Sequence, residues 1–271
     1  MTLSHSLRRF LAHRIKYLSN AAYRYKQKEL ERLKSLPRYQ LTHTNLAGKK
    51  LEVPDAASFL FMYQEIFERQ VYRFPSDHPA PYIIDAGANI GLSVLYFKQL
   101  FPDAQIVAFE ADPDIFDILE KNLRGFELRD VSIVNKALWC TETTIHFRKE
   151  GADAGCIVTS GSDSTVAVDT VRLAPFLNKT VDLLKIDIEG AEYTVISHSA
   201  PQLKNVKRIF IEYHSYLDQS QNLPELLSIL KDAGFRLNIN SPGLISSRPF
   251  EKIEVYNNMD MQLNIYAYRN E

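Results

Sequence analysis

The sequence predicts an α/β protein: a mostly parallel sheet of seven strands with helices on both faces, closed at its end by an antiparallel hairpin. Three observations predict it. From Pro81 onward, short runs rich in Ile and Val alternate with helix-length segments, the rhythm of a parallel sheet covered on both sides. After Gly234, two stretches of alternating apolar and polar residues, 235–240 and 263–268, suit an antiparallel closing pair. The 271 residues, 45% of them hydrophobic, suffice for one α/β core and a modest appendage.

The chain begins with a basic arm. Residues 1–40 carry ten Lys or Arg against two Glu, although the net charge of the whole is only −1. Leu7, Leu11, Ile15 and Leu18 recur at helical spacing between Arg8, Arg9, Arg14 and Lys16. That pattern suits peripheral contact with a membrane surface, a nucleic acid or an acidic partner. The blander alternative, given more weight, is a solvated helix resting on its own domain or on another subunit. Leu36-Pro37 ends the segment, so residues 1–50 read as a helical arm and 51–271 as the main domain. Asp55 is a plausible N-cap for a helix whose Phe59, Met62, Tyr63, Ile66 and Phe67 share a face.

Candidate strands of the sheet are 82–85, 105–110, 131–135, 181–187 and 207–212. A helix over 92–100 stops before Pro102, and Pro113 starts another that buries Phe116, Leu119 and Leu123. Residues 141–177 break the rhythm: a strand near 143–148, a Gly/Ser/Asp-rich loop and a β-leaning run at 164–171 read as a hairpin-like insertion. A helix over 226–230, capped by Gly234, leads into the closing pair.

Several classes are disfavoured. No run of about 18 apolar residues and no compact apolar leader occur, so neither a membrane span nor a secretory signal is expected, and the cytoplasm is the expected compartment. Cys140 and Cys156 lack metal-site spacing and read as idle thiols.

Four motifs carry chemistry. In IIDAGANIGLS, residues 83–93, a buried strand ends at Asp85 and turns through Gly87 and Gly91 into a helix, whose first N–H groups are expected to receive a carboxylate. Only two glycines stand in the turn, with Ala88, Asn89 and Ile90 between them, which disfavours a nicotinamide dinucleotide. In IVAFEADP, Glu110 lies at the next strand end, 25 residues beyond Asp85, where a carboxylate can accept both ribose hydroxyls of an adenosine ligand. In DLLKIDIEGAEYTVI, residues 182–196, a buried strand delivers Asp187 and Glu189 to the sheet's C-terminal edge. There, Glu189 and Glu192 are alternatively helix caps and Lys185 a satisfied core ion pair. In FIEYHS, residues 210–215, Glu212 and His214 fall on one side of an extended segment.

These motifs, with LEVPDAASFLFMYQEIFERQVYRF ahead of them and VNKALW and VAVDTVRL between them, resemble the FkbM family of S-adenosylmethionine (SAM)-dependent methyltransferases over roughly residues 55–240. The resemblance implies a Rossmann-like class I methyltransferase fold and SAM as cofactor, leaving S-adenosylhomocysteine (SAH) as product. Carried over by motif, Asp85, Gly87, Ala88, Asn89 and Gly91 would surround the methionine part, with Asp187 nearby. Glu110 and Ala111 would lie at the ribose, and Asn135 and Ala137 near the adenine. The family's members act mainly on sugar or natural-product hydroxyls, so the implied reaction is O-methylation of a glycan or small molecule.

A hydroxyl is a weak nucleophile, and His214 or Asp187, with Glu189 and Glu212 beside them, are the candidates to take its proton; His214 has the better ordinary pKa. A divalent ion on Asp187, Glu189 and Glu212 is an alternative activator ranked second. Two other classes are weighed: a non-catalytic SAM-fold binding module recruited by the basic arm, and a nucleic-acid N-methyltransferase. The second is disfavoured because IDIEGAE stands where a Pro-Pro-aromatic signature is expected and the chain beyond residue 40 is net acidic, so no nucleic-acid partner is expected.

Overall fold

A computed structural model describes residues 20–149, 155–158, 165–243 and 246–269. The apolar stripe at Leu7 to Leu18 and most of the Gly/Ser/Asp-rich loop lie outside the described residues. Helix α1 (Ala21–Lys34) starts where the Asn20 side chain accepts the Tyr23 N–H, and it buries Leu33 completely. A short antiparallel pair follows, β1 (Thr42–Thr44) and β2 (Leu51–Val53). Helix α2 (Ala56–Tyr63) is capped by Asp55, whose Oδ1 accepts the Ser58 N–H at 2.8 Å. The same helix runs on as a π-turn over Gln64–Arg69 and is stopped by Gln70 in the left-handed region.

The core alternates as expected: β3 (Tyr82–Ala86), α3 (Leu92–Leu100), β4 (Gln105–Phe109), α4 (Pro113–Phe126) and β5 (Val131–Val134). Next come the short strands β6 (Ala137–Leu138), β7 (Thr144–Arg148), β8 (Cys156–Val158) and β9 (Thr165–Val171), joined in a small side sheet ordered β6-β9-β7-β8. The main sheet resumes with β10 (Leu183–Ile186), α5 (Glu192–Ser199), β11 (Arg208–Tyr216), α6 (Leu223–Asp232), β12 (Arg236–Asn240) and β13 (Met259–Tyr268).

The seven-stranded sheet is ordered β12-β13-β11-β10-β3-β4-β5. Strands β3, β4, β5, β10 and β11 run parallel, while β13 is antiparallel to both β11 and β12. This is a Rossmann-like fold with an antiparallel close. The chain winds outward from β3 to β5, then returns to β10 on the other side of β3, so the switch point lies between β3 and β10. Ligands of open α/β sheets bind at such a crevice. Ile83 and Ile84, neighbours in sequence, enter opposite cores: Ile83 joins residues of α2, α3 and α4, and Ile84 those of α5 and α6.

Element boundaries differ from expectation for identifiable reasons. β11 runs four residues past Glu212 because β13 pairs with it as far as Tyr216, well beyond the three-residue register with β10. The third strand stops at Val134, and Asn135 turns its amide onto the Glu110 carbonyl at 2.9 Å. The fourth strand shortens to Leu183–Ile186, leaving Val181 in an isolated bridge to Val206.

The switch point leaves no room for a side chain at Gly87. Its φ is +85°, and an added Cβ would lie 1.8 Å from the Asp187 carbonyl oxygen. Gly125, in α4, has open space around the same position. Gly87→Ala is therefore expected to lower stability by roughly 2–4 kcal/mol, whereas Gly125→Ala raises it by about 0.5 kcal/mol. Urea denaturation midpoints of the two variants would move in opposite directions.

Candidate active site

A cavity of about 540 Å³ opens at the switch point, within the range of sites for small ligands and cofactors. Its architecture begins with Lys185, in the middle of β10 and 2% exposed. The ammonium donates to the Gly87 carbonyl at 2.5 Å and lies 3.4 Å from Asp85 Oδ1 and 3.3 Å from Asp187 Oδ2. Burial alone would push this ammonium down; Asp187 and Asp85 outweigh it and hold the group above its ordinary value. The second Asp85 oxygen accepts the Ser93 hydroxyl at 2.5 Å.

The turn after β3 is wired inward. Gly87 and Ala88 donate their amides to the Phe109 carbonyl, Asn89 to Glu110 Oε2, Ile90 to its neighbour's Asn89 Oδ1, and Gly91 to Ala88. Between residues 87 and 91 the donors therefore close the turn on itself and on β4. Glu110 receives Asn89 N–H on one oxygen and Asp112 N–H on the other, each at 2.9 Å, and both oxygens keep capacity for a further donor. Burial pushes its carboxyl up to about 7 against those two amides.

Across the cavity, β11 and the loop before α5 converge. His214 and Glu212 alternate onto the same side of β11, and both line the cavity. The buried His214 ring places Nε2 at 3.7 Å from both Glu189 and Glu212, and Nδ1 at 3.1 Å from Glu192. Tyr216 donates its hydroxyl to Glu189 at 2.7 Å, and Gln262, opposite His214 in register, donates its amide to Glu212. Burial pushes Glu189 up to about 8, against the attraction of His214. Burial would lower His214, but Glu189, Glu192 and Glu212 raise it well above its ordinary value. The cluster therefore holds its protons into the mildly alkaline range. Glu65, brought in by the π-turn, adds another buried carboxylate; burial raises it, and its contact with Arg69 opposes the rise.

Asp187, Glu212 and His214 each present a possible metal-ligand atom within 4.8 Å of the others. Lys185 already neutralises Asp187, and the Gln262 amide already occupies Glu212. These bonds compete with a cation for the same oxygens.

A family model described as "Methyltransferase FkbM domain" matches residues 85–237. The chain belongs to the FkbM methyltransferase family. Among relatives, "Methyltransferase sdnD" of Sordaria araneosa is 29% identical over 216 residues, covering 65% of this chain and 81% of that protein. "2-O-methyltransferase NoeI" of Sinorhizobium fredii is 28% identical over 160 residues, covering 51% of this chain and 65% of that protein. The crystal structure of an FkbM methyltransferase from Methylobacillus flagellatus KT aligns with a TM-score of 0.49 at 16% identity, over 75% of this chain and 48% of that one.

Of the positions marked from the family motif, Gly87, Ala88, Asn89, Glu110, Ala111, Ala137 and Asp187 of this FkbM methyltransferase line the cavity. Three do not. Asp85 is wholly buried behind Lys185 and Ser93, so it acts on the site only through them. Gly91 packs under α4, where an added Cβ would meet Leu119 at 2.8 Å. Asn135 braces the Glu110–Ala111 backbone. All four marked acid–base residues, His214, Asp187, Glu189 and Glu212, do line the cavity. Sequence reasoning missed Glu65, Tyr216 and Gln262. Tyr216 was findable, standing two residues beyond His214 on the same strand; Glu65 was not, because a π-turn leaves no mark on apolar periodicity.

The Lys185 network gives a direct test. Lys185→Met keeps the volume but leaves two carboxylates without their shared cation, and is expected to cost about 3–5 kcal/mol of stability. Calorimetric unfolding would show the loss; an unchanged midpoint would mean the ammonium holds nothing together.

Proposed function

We propose that this FkbM-family protein is a SAM-dependent O-methyltransferase acting on a hydroxyl of a sugar, glycan or natural-product small molecule. The observation that carries the reading is the sharing of one cavity by Glu110 on β4's side and the His214 cluster on β11's side. That NoeI is named a 2-O-methyltransferase supports oxygen as the accepting atom.

The residues present fit the cofactor. Glu110, held by two backbone amides, has an oxygen for each of two ribose hydroxyls. Phe109, Ala137 and Leu138 supply apolar walls beside it. Glu65 and Glu212 add acidic groups to the same cavity, which suits a cationic ligand. When bound, SAM supplies a methyl group on a sulfonium that passes to a nucleophile in a single displacement.

The chain's part is positioning and proton transfer. His214 Nε2, between Glu189 and Glu212, is the group we assign to take the hydroxyl proton, with the facing carboxylates stabilising the imidazolium that results. Asp187, the other candidate, is already paired with Lys185 at 3.3 Å. Gln262, Asn264 and Glu65 line the same side of the cavity and offer hydrogen-bond partners to a polyhydroxylated acceptor.

Calorimetric titration with SAM and SAH tests the cofactor. Micromolar binding is expected, with Glu110→Gln weakening it about 10- to 100-fold, the worth of a hydrogen bond to a charged group. Only the ionised carboxylate accepts from both hydroxyls, and its pKa in the free protein is about 7. SAH affinity should therefore fall as pH drops through that value in the native protein and stay flat in the Gln variant. A folded protein that binds neither ligand would overturn the assignment.

With the cofactor established, sugar and natural-product hydroxyls can be screened as acceptors by mass spectrometry. For any acceptor found, turnover should climb as pH rises through about 8, where Glu189 gives up its proton and the cluster becomes able to take another. A rate that is flat or falling over that range would remove the cluster from the proton transfer.

A further inference from the structure

Glu192 has no part in the steps above, yet it is 0% exposed and touches both pieces of chain that bring proton-handling groups to the cavity. It is the first residue of α5, where the helix N-terminus stabilises negative charge. Its Oε1 accepts the Gly190 N–H at 3.0 Å and the Ile188 N–H at 3.4 Å, and lies 3.1 Å from His214 Nδ1. Its Oε2 is buried and has no hydrogen-bond partner among the described residues. The loop it gathers is bent at two successive left-handed residues, Glu189 at φ +54° and Gly190 at φ +98°. Such a turn needs external bonds to hold it.

We propose that Glu192 is the positioning residue of the site: it accepts the Nδ1 proton of His214, so that Nε2 faces the cavity, and it holds the 188–190 turn so that Glu189 stands opposite that nitrogen. The inference rests on the proposed O-methyltransferase reading for its purpose, but its geometry is independent of it. A carboxylate only accepts hydrogen bonds, so the neutral ring must carry its proton on Nδ1 and leave the Nε2 lone pair free. Glu189 and Glu212 on the cavity side of the ring are acceptors too. Without Glu192 they would draw the single proton to Nε2, the tautomer that cannot take a proton from a substrate there. An acceptor behind the ring thus decides what its front can do, the second-sphere logic by which a carboxylate orients a histidine.

The test reads the ring directly. Protein labelled with ¹⁵N-histidine, saturated with SAH, would be followed by long-range ¹H–¹⁵N spectra across pH, with His214→Asn identifying the His214 signals among the seven histidines. In the native protein the neutral ring should carry Nδ1–H. Glu192→Gln removes the negative charge behind the ring, while Glu189 and Glu212 keep their places on its cavity side. Nδ1 then becomes an acceptor, the proton moves to Nε2, and the ring's titration midpoint falls by more than about one pH unit. Glu192→Asp, which retains the charge, should restore the Nδ1–H form at least in part. SAH affinity should stay within about 2-fold in Glu192→Gln, because Glu192 does not line the cavity.

A native ring carrying Nε2–H would overturn the proposal without any variant, and so would a Gln variant with unchanged tautomer and midpoint. If the native protein binds no SAH, the cofactor reading fails, while the spectra of the free protein still judge Glu192.

Discussion

The Lys185 ammonium sits where the chain reverses its path through the sheet, between the C-terminal ends of β3 and β10, and three things depend on it. Through Gly87 O it anchors the turn that leads into α3; through Asp85 it is tied to Ser93 in that helix; through Asp187 it sets the first acidic group of the loop that leads to α5. Taking these charges out of water is expensive, and a buried ion pair is weak evidence for stability in its own right. The apolar cores on either face of the sheet, built from residues such as Ile83 on one side and Ile84 on the other, must carry that cost. The return is geometric: the two loops that wall the cavity share one fixed cation.

The fold was largely legible in the sequence because parallel strands buried on both faces leave continuous Ile/Val runs that alternate with helix-length segments. The parts of the site on β11 were legible for a related reason: a period of two puts Glu212 and His214 on one side whatever the tertiary context. What could not be read was pairing between distant segments. Whether the amides of Gly87, Ala88 and Asn89 would be free depended on Phe109 and Glu110 from β4, and whether Asp85 would face a ligand depended on Lys185 from β10. A motif names the residues of a turn and is silent about which of them the rest of the chain has already used.

The cavity also divides by origin. The wall around Glu110, Asp187 and His214 lies within the family match at residues 85–237. Further lining residues come from segments outside it: Arg38, Phe61 and Glu65 ahead of β3, and Tyr256 and Gln262 beyond residue 237. These flanking segments meet one another at Arg38, which binds the N-cap Asp55 at 2.8 Å and also bonds the side chain of Tyr256. A fold that hosts many substrates keeps the elements for cofactor and proton transfer on the sheet edge and varies the segments that lean over it. The exposed aromatics Phe61 and Tyr256 stand in those flanking segments.

The burial of His214 follows from the same division. Exposed, an imidazole near three glutamates would be screened by water and would titrate close to its ordinary value. Buried, it lies 3.7 Å from both Glu189 and Glu212 in a low dielectric, where the charge on one group weighs heavily on its neighbours. In the proposed roles, the pair of carboxylates on the cavity side would stabilise the imidazolium that proton transfer produces, and the single carboxylate behind it would decide which nitrogen is free to receive. On that proposal, removing either arrangement would leave a histidine at the right place with the wrong proton, and the contact at Nδ1 would matter as much to this site as those at Nε2.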